Sequence, residues 1–188
     1  IGTIPSLFQK KFSPKDIIQS FLKFNCDKII IKPVVGANAD NIILGSKFEI
    51  NSQLNQIQRI YSELPHIIQP FLNSVLKEGE FSLIYFNEKF SHALSKVPKK
   101  GDFRVQEEHG GKINIIKRLP IEIQNLADKV IKVLPKNCFY SRIDILLMNG
   151  EPKVIEVELI EPSLYFNLDP ESSKMFAHEL IEYFNNLT

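Results

Sequence analysis

The sequence predicts an α+β fold in which antiparallel strands alternate with short helices. Two hairpins indicate this class: apolar runs flank Asn87-Glu88, and two charged strands flank Asn149-Gly150. Between the strands, apolar residues recur with the period of a helix. Antiparallel strand units with helices set between them are typical of α+β proteins.

The composition limits the classes of function. The 188 residues suffice for one large domain or two small ones, and 44% apolar with 24% charged residues is ordinary for a globular protein. A net charge of +1 gives no reason to expect nucleic acid or an anionic membrane as partner. There is no apolar run of about 18 residues and no secretory signal pattern. Cys26 and Cys138 fit no metal spacing and are expected as buried thiols in a reducing cytoplasm.

The first part of the chain predicts a helix followed by two strands. Ser13-Pro14 supplies the N-cap and first residue of the helix. Residues 27–33 predict a buried strand that ends in Lys32 before a proline. The small residues 34–41 predict a loop whose backbone N–H groups are able to face an anion, although most such loops are simple turns. Residues 42–48 predict the returning strand.

The remaining elements alternate in the same way. A polar stretch over 96–112 is either a functional flap or a flexible loop, because it is long and charged. The other predicted elements are a helix over 53–61, a strand over 66–72 broken by Pro70, a hairpin of 83–86 with 89–94, and helices over 121–134 and 170–185.

The charged hairpin between the last two helices carries the strongest signal. Residues two apart share a face of a strand, so Arg142 lies beside Asp144 and Glu156 beside Glu158. A two-residue Asn-Gly turn would pair Asp144 with Ile155 and put the apolar sets out of phase. A three-residue or five-residue loop pairs Asp144 with Glu156 and Arg142 with Glu158. The second register is expected, because a slip of one residue would bury the charges.

In that register three carboxylates and one guanidinium share a face. Carboxylates opposite each other destabilise a sheet unless a cation lies between them. Carboxylate oxygens, with water or phosphate completing the shell, suit Mg²⁺. The sequence therefore predicts a metal site formed by Asp144, Glu156 and Glu158, with a solvated sheet face as the alternative.

Six motifs stand in order along the chain: Ile31-Lys32-Pro33, Gln69-Pro-Phe-Leu72, Glu78-Gly-Glu80-Phe-Ser82, Gly101-Asp-Phe-Arg104 with Gly110-Gly111, Arg142-Ile-Asp144 and Glu156-Val-Glu158. In this order they resemble the motifs of the ATP-grasp superfamily of ADP-forming ligases. Within the superfamily, the fourth motif resembles the glutathione synthetase and ribosomal S6 glutamate ligase branch, and residues 101–111 and 158–164 resemble a subgroup that includes the cycloserine-forming cyclo-ligase. The resemblance covers essentially the whole chain.

The resemblance implies an ATP-grasp fold, in which two α+β subdomains with antiparallel sheets sandwich the nucleotide. Residues 1–12 would be a linker, 13–70 the smaller subdomain and 71–188 the C-terminal subdomain with the metal site. The implied activity is ATP-dependent ligation of a small-molecule carboxylate to an amine, or a cyclo-ligation, through an acylphosphate. The implied cofactors are ATP and Mg²⁺, with Mn²⁺ as a second choice. A homodimer, and a non-catalytic or regulatory ATP-binding module of a larger protein, are left open.

The resemblance also implies roles for individual residues. Lys32 would contact the ATP phosphates, and the loop 34–41 would close over them. Glu80 would bind the ribose hydroxyls, and Lys96 would reach the nucleotide unless it is a solvated lysine. The adenine edge would be read by a hinge of four residues: Gln69, Pro70, Phe71 and Leu72.

Two arginines have implied catalytic roles. Arg142 would neutralise charge on the transferring phosphoryl group, and Arg104 would face the acceptor carboxylate or the acylphosphate. Glu161 and Ser163 would touch the substrate, with capping or turn roles about equally expected.

The chain departs from the family pattern in three places. Many relatives end the metal motif in Glu-x-Asn, whereas Glu158 stands here. The loop 34–41 has a single glycine, Gly36, where many relatives have more. Members of the superfamily normally carry an N-terminal domain before the segment corresponding to Ile4-Pro5, and the resemblance implies that this chain lacks it.

Overall fold

A computed structural model describes residues 1–36 and 38–186. The chain forms two compact units. The smaller unit is Ile4–Asn73, and the larger unit begins at Ser74 and includes Ile1–Thr3. The linker expected over residues 1–12 contains a strand, because residues 7–9 pair with residues 66–68. Residue 37 of the predicted loop 34–41 lies outside the described residues.

The smaller unit contains a four-stranded antiparallel sheet in the order β1-β4-β2-β3. Its two helices, α1 and α2, bury apolar side chains against the sheet. The bounds in chain order are β1 Leu7–Gln9, α1 Pro14–Phe24, β2 Lys28–Pro33, β3 Ile43–Ser46, α2 Ile50–Tyr61 and β4 His66–Pro70.

The ends of α1 follow from its sequence. The Ser13 side chain accepts a hydrogen bond from the backbone N–H of Asp16, and Pro14 occupies the first turn, where no N–H is needed. At the other end Asn25 adopts left-handed geometry (φ 49°), and its N–H donates to the helix carbonyls. This capping confirms the helix predicted from Ser13-Pro14.

The larger unit contains a five-stranded antiparallel sheet in the order β7-β6-β5-β8-β9. The sequence analysis missed β7, which begins at the end of the polar stretch 96–112, because its four residues alternate too briefly to give a period. The bounds are α3 Ser74–Lys77, β5 Glu80–Phe86, β6 Lys89–Val97, β7 Lys112–Ile115, α4 Ile121–Ile131, β8 Tyr140–Met148, β9 Glu151–Glu158 and α5 Pro170–Asn185, with a 3₁₀ turn at Glu107–His109.

The two faces of this sheet bury different side chains. On one face Leu83, Ile143 and Ile145 pack against the apolar side of α4. On the other face Ile84 and Phe86 lie in an aromatic cluster with the segment 164–168 and with α5. Alternation along β5 and β8 places Glu80, Ser82, Arg142 and Asp144 on this second face. The polar residues therefore lie beside the aromatic cluster, on the face away from α4.

The predicted pairing of the charged hairpin is confirmed, although the predicted loop length is wrong. Asp144 pairs with Glu156 and Arg142 with Glu158, yet Met148 pairs with Glu151 across the two-residue turn Asn149-Gly150. A β-bulge makes the two-residue turn compatible with the pairing of Asp144 and Glu156. The register shifts between Asp144 and Ile145 and leaves Ile155 as the extra residue.

The bulge also changes which residues of β9 face the core. Val154 and Val157, three positions apart, both pack against the core cluster. Strict alternation along the whole strand, as assumed for Glu156 and Glu158 in the sequence analysis, would instead place Ile155 on that face. The turn fixes the register at one end of the hairpin, and burial of the apolar side chains fixes it at the other.

None of the helices within the described residues has the length and apolar character needed to cross a membrane.

We predict that deletion of Ile155 is tolerated whereas deletion of Val157 is not. Without Ile155 the strand is regular and keeps Glu156 opposite Asp144, so the free energy of unfolding should change by less than about 1.5 kcal/mol. Without Val157, Glu158 would stand opposite Ile143, which is fully buried. A carboxylate in that core should cost more than about 3 kcal/mol. Urea unfolding of both variants measures this, and equal losses would contradict the role given to the bulge.

Candidate functional site

The polar face of the larger unit gathers charged side chains from four adjacent strands. The register aligns Glu80 with Lys96, Ser82 with Asp144, and Asp144 in turn with Glu156. All of these pairs are antiparallel, so the side chains point to the same side of the sheet. The site is therefore set by strand pairing rather than by loops.

Asp144 is at the centre of this site. Its side chain is 1% exposed. The Ser82 hydroxyl donates to its Oδ1 at 2.5 Å, and Arg142 donates from Nε to both oxygens at 3.1 Å and from Nη2 to Oδ2 at 3.0 Å. The Lys96 ammonium lies 3.6 Å from Oδ1. These donors make use of both oxygens of the carboxylate.

Arg142 bridges two carboxylates. Besides its bonds to Asp144, its Nη2 donates a short hydrogen bond to Glu158. The third edge of the guanidinium reaches the backbone carbonyl of Ser163 at 3.5 Å, at the limit of a hydrogen bond. Its side chain is 9% exposed, so these ionic contacts are poorly screened by solvent.

Lys96 is a buried cation and not a solvated one. Its side chain is 5% exposed, and its ammonium donates to Glu80 Oε1 at 3.2 Å. The ammonium also lies 5.6 Å from the centre of the Tyr165 ring. Burial lowers the pKa of Lys96, but the charges of Asp144 and Glu80 outweigh burial and raise it. Lys96 is therefore charged at neutral pH.

The carboxylates of the site respond to burial in different ways. Burial raises the pKa of Asp144, but Lys96 and Arg142 outweigh it and hold that pKa below its usual value. For Glu80 and Glu158 burial dominates, so their pKa values are raised even though Lys96 and Arg142, respectively, oppose it. Two cations face four carboxylates, counting Glu156, so a further cation would be stabilised here.

The three carboxylates predicted to hold a metal come together. One ligand atom each from Asp144, Glu156 and Glu158 lies within 4.8 Å of the other two. Asp144 is buried, Glu158 is half-buried and Glu156 is exposed. Three carboxylate oxygens with one open side fit Mg²⁺, which keeps part of its shell for water or phosphate. The donor set therefore fits the cation expected from the sequence.

The segment after β9 lies against this site. Glu161 is exposed and has left-handed backbone geometry (φ 49°), and Ser163 contributes its carbonyl rather than its hydroxyl, through Arg142. The Leu164 carbonyl accepts a hydrogen bond from His92 Nε2 at 3.0 Å, while Ser91 Oγ lies 2.9 Å from His92 Nδ1. Arg142 and His92 thus hold the backbone of this segment through the carbonyls of Ser163 and Leu164.

The sequence analysis missed Ser82, His92 and Tyr165. Ser82 lies two residues from Glu80, so the shared face was readable once β5 was extended to begin at Glu80. His92 and Tyr165 come together only through tertiary packing, which no local pattern reports. Tyr165 has φ 54°, an uncommon geometry for an aromatic residue.

The Gly101–Gly111 motif forms a separate arrangement. Arg104 donates to Asp102 from Nε at 3.1 Å and from Nη2 at 2.8 Å, and these bonds hold the pKa of Asp102 well below its usual range. The guanidinium that was expected to face a substrate is thus paired within its own loop. At Gly111 a Cβ atom would lie 2.0 Å from the Val105 carbonyl, which explains why glycine is needed there.

In the smaller unit the predicted residues lie on β2 and β4. Lys32 is half-buried near the end of β2, opposite Ile67. Gln69 is buried and donates to Ser6 Oγ at 2.9 Å. The Phe71 N–H donates to Lys28 O at 2.9 Å, so this part of the predicted hinge bonds within the unit. Pro70 lies opposite Ile29 and Leu72 is half-buried.

The described part of the predicted loop 34–41 has unusual backbone geometry. Asn38, Ala39 and Asn41 have φ values of 52°, 58° and 59°. Asparagine tolerates this region better than most residues, so the sequence partly accommodates the geometry without glycine. The Tyr61 hydroxyl makes a short hydrogen bond to the Asn41 carbonyl, which ties the end of the loop to α2.

We predict that His92 makes stability pH-dependent. Burial lowers its pKa from the ordinary value of 6.5, so the folded state holds fewer protons than the unfolded state. Stability from this group is present above pH 6.5 and is lost as the pH falls through the folded pKa. The free energy of unfolding in urea between pH 7.5 and 5.5 should fall less in His92→Gln than in the wild type, by at most about 1.4 kcal/mol per pH unit.

The matched control is His178→Gln, which replaces an exposed histidine in the same unit. Identical pH slopes in the wild type and in His92→Gln would contradict the prediction.

Comparison with known proteins places these residues in context. The model of the family described as "Prokaryotic glutathione synthetase, ATP-grasp domain" matches residues 10–170. The chain is 26% identical over 171 residues to the cycloserine biosynthesis protein DcsG of Streptomyces lavendulae, covering 82% of this chain and 54% of that protein. It is 25% identical over 178 residues to glutathione synthetase of Prochlorococcus marinus subsp. pastoris, covering 89% and 53%. The chain thus spans about half the length of these curated relatives.

Solved structures show the same fold. The crystal structure of D-cycloserine synthetase DcsG superimposes with a TM-score of 0.79 at 22% identity, covering 97% of this chain and 65% of that one. The ATP-grasp ligase PsnB, solved with its minimal precursor, Mg and ADP, gives a TM-score of 0.65 at 16% identity, covering 95% and 54%.

Proposed function

Because the chain belongs to the ATP-grasp family whose model describes the prokaryotic glutathione synthetase domain, we propose that it binds ATP with Mg²⁺ as part of an ADP-forming ligase. The family and the α+β ATP-grasp fold predicted from the six motifs are confirmed by the family match and by the fold of the solved relatives. The activity, substrates and partners of the whole protein are our proposals.

The observation that carries this proposal is the polar face of the five-stranded sheet. A buried lysine and a buried arginine lie beside three carboxylates whose ligand atoms lie within 4.8 Å of one another. Cations that neutralise phosphate oxygens, next to carboxylates that hold Mg²⁺, are what phosphoryl transfer needs. We assign Asp144, Glu156 and Glu158 to the metal, and Lys96 and Arg142 to the phosphates. A bound Mg²⁺ would supply charge neutralisation at the transferring phosphoryl group.

We propose roles for the other predicted residues in each unit. In the larger unit Glu80 accepts from the ribose hydroxyls, and Arg104 turns from Asp102 to an acidic substrate or the acylphosphate. In the smaller unit Lys32 and the loop 34–41 bind phosphates. The backbone and side chain of Gln69, with Pro70, Phe71 and Leu72, contact adenine.

The proposed reaction has two steps. A carboxylate oxygen of the substrate attacks the γ-phosphorus of ATP, and the bond to the bridging oxygen breaks to release ADP. An amine then attacks the carbonyl carbon of the acylphosphate, phosphate leaves with the bonding electrons, and the amine nitrogen loses a proton. The protein contributes mainly by positioning groups and stabilising charge. Glu161 and Ser163, beside Arg142, are proposed to contact the carboxylate or amine substrate.

Several expectations stay predictions: Mn²⁺ as an alternative metal, a homodimer, a cytoplasmic location and the identities of the carboxylate and amine. A module that binds ATP without ligation is an outcome that the experiment below distinguishes from a ligase.

We predict that a non-hydrolysable ATP analogue binds the protein in an Mg²⁺-dependent manner. The variants Asp144→Asn and Glu156→Gln should weaken binding in Mg²⁺ by at least about tenfold, because each removes charge from the metal site. Isothermal titration calorimetry with and without Mg²⁺ measures this effect.

The matched control is Glu151→Gln, which removes an exposed carboxylate at the other end of β9. It should bind as the wild type does. Absence of binding to the folded wild type would refute the proposed function. Binding without ADP release, or without hydroxylamine-trapped acylphosphate across a panel of carboxylates, would indicate the non-catalytic module.

A further inference from the structure

We propose that Arg142 acts as an internal counter-cation, whose guanidinium holds the metal-binding carboxylates until a divalent cation displaces it. This inference rests on the proposed function, because it concerns the same site. When the metal displaces Arg142, the released guanidinium is able to bind an anionic ligand, so binding of the metal and binding of the anion are coupled.

Both carboxylate oxygens of Asp144 already accept hydrogen bonds. Its two oxygens offer about four lone-pair positions. Ser82 and the Nε and Nη2 groups of Arg142 donate to them, and the Lys96 ammonium lies 3.6 Å away. A metal ion that is to bind Asp144 must therefore replace at least one of these donors.

Among the groups around Asp144, the Arg142 guanidinium is the one that a metal ion would displace. Ser82 is short and lies on β5 directly opposite Asp144. Lys96 is held by Glu80 at 3.2 Å and is covered by the Tyr165 ring. Arg142 is the longest of the three side chains. Apart from its bonds to Asp144 and Glu158, Arg142 contacts the Ser163 carbonyl at 3.5 Å. Displacement of Arg142 thus leaves the other contacts of the site in place.

The balance of charge at the carboxylates favours this exchange of a guanidinium for a divalent cation. Arg142 bonds to Asp144 and Glu158, two of the three carboxylates that would hold the metal. A divalent cation brings more charge to these oxygens than a guanidinium does, so the exchange is electrostatically favourable at the carboxylates. The released guanidinium keeps its charge and is then next to the metal, where a cation is repelled. A polyanion such as a nucleoside triphosphate relieves that repulsion.

The exchange makes metal and nucleotide reciprocal ligands. Metal binding releases the group that binds the anion, and the anion stabilises the released group, so each ligand must raise the affinity for the other by the same factor. The metal alone should bind weakly to the wild type, because it must break the ionic contacts of Arg142.

The test measures Mn²⁺ binding without nucleotide, by electron paramagnetic resonance of the free ion. Arg142→Gln should bind Mn²⁺ at least about tenfold more tightly than the wild type, equivalent to about 1.4 kcal/mol. Lys96→Gln removes the same charge from the same site and leaves Arg142 in place, so its gain should be clearly smaller. Equal gains in both variants would indicate a net-charge effect alone and would overturn the inference, as would no gain in Arg142→Gln.

A second measurement follows Arg142 in the wild type and uses a charge-conserving variant only for assignment. The Nε–H signal of Arg142 in the wild type, observed by ¹⁵N–¹H NMR and assigned by its absence in Arg142→Lys, reports the bond to Asp144. Saturating Mg²⁺ should shift this signal. A signal unchanged by saturating Mg²⁺ would show that both cations are held at once and would overturn the inference.

The two proposals fail in different ways. If the wild type binds the ATP analogue with Mg²⁺ but Arg142→Gln gains no affinity for Mn²⁺, the inference is overturned and the proposed function stands. If Arg142→Gln gains Mn²⁺ affinity while the wild type binds no ATP analogue, the exchange of cations is supported and the proposed function fails.

Discussion

The candidate site depends on the burial of one carboxylate, Asp144. A charge in that position is tolerated only if nearly all of its hydrogen-bonding capacity is met, because desolvation of an ion costs several kcal/mol. Arg142, Ser82 and Lys96 meet it from three adjacent strands. The sheet register fixes the positions of these three residues. The strands must therefore pair correctly for the charge of Asp144 to be compensated. A register slip would leave the carboxylate buried without partners.

The rest of the larger unit supports this constraint. Helix α4 covers one face of the sheet with aliphatic packing and leaves the other face to polar groups. The aromatic cluster around Phe86 and Phe176 then bounds the polar face at one side. Helix α5 is fastened to the β5–β6 turn through the buried Glu179, which accepts from Lys89 at 2.7 Å and from Asn87 at 3.1 Å. Contacts of Glu179 with Lys89 and Asn87 thus hold α5 against the sheet beside the site.

Local patterns in the sequence predicted the pairing of charges in the β8–β9 hairpin, because a period of two and a buried face leave a single sensible register. They did not predict the bulge at Ile155, since a bulge arises when the turn and the core demand different registers. The pairing of Arg104 with Asp102 and the contacts of Tyr165 were also out of reach, because they depend on loop conformation. The roles of Lys32, Gln69, Glu161 and Ser163 stay predictions, since resemblance to a family supplied them.

The backbone of Tyr165 has a consequence for the evolution and engineering of this protein. A left-handed conformation costs a non-glycine residue about 1 kcal/mol, and glycine would relieve that cost. Glycine would also remove the ring that covers Lys96. The ring also packs against the aromatic cluster, and the loss of such packing costs more than the strain that glycine would relieve. Selection for stability therefore retains a strained tyrosine at this position, and the cover over the buried ammonium is maintained by packing rather than by backbone preference.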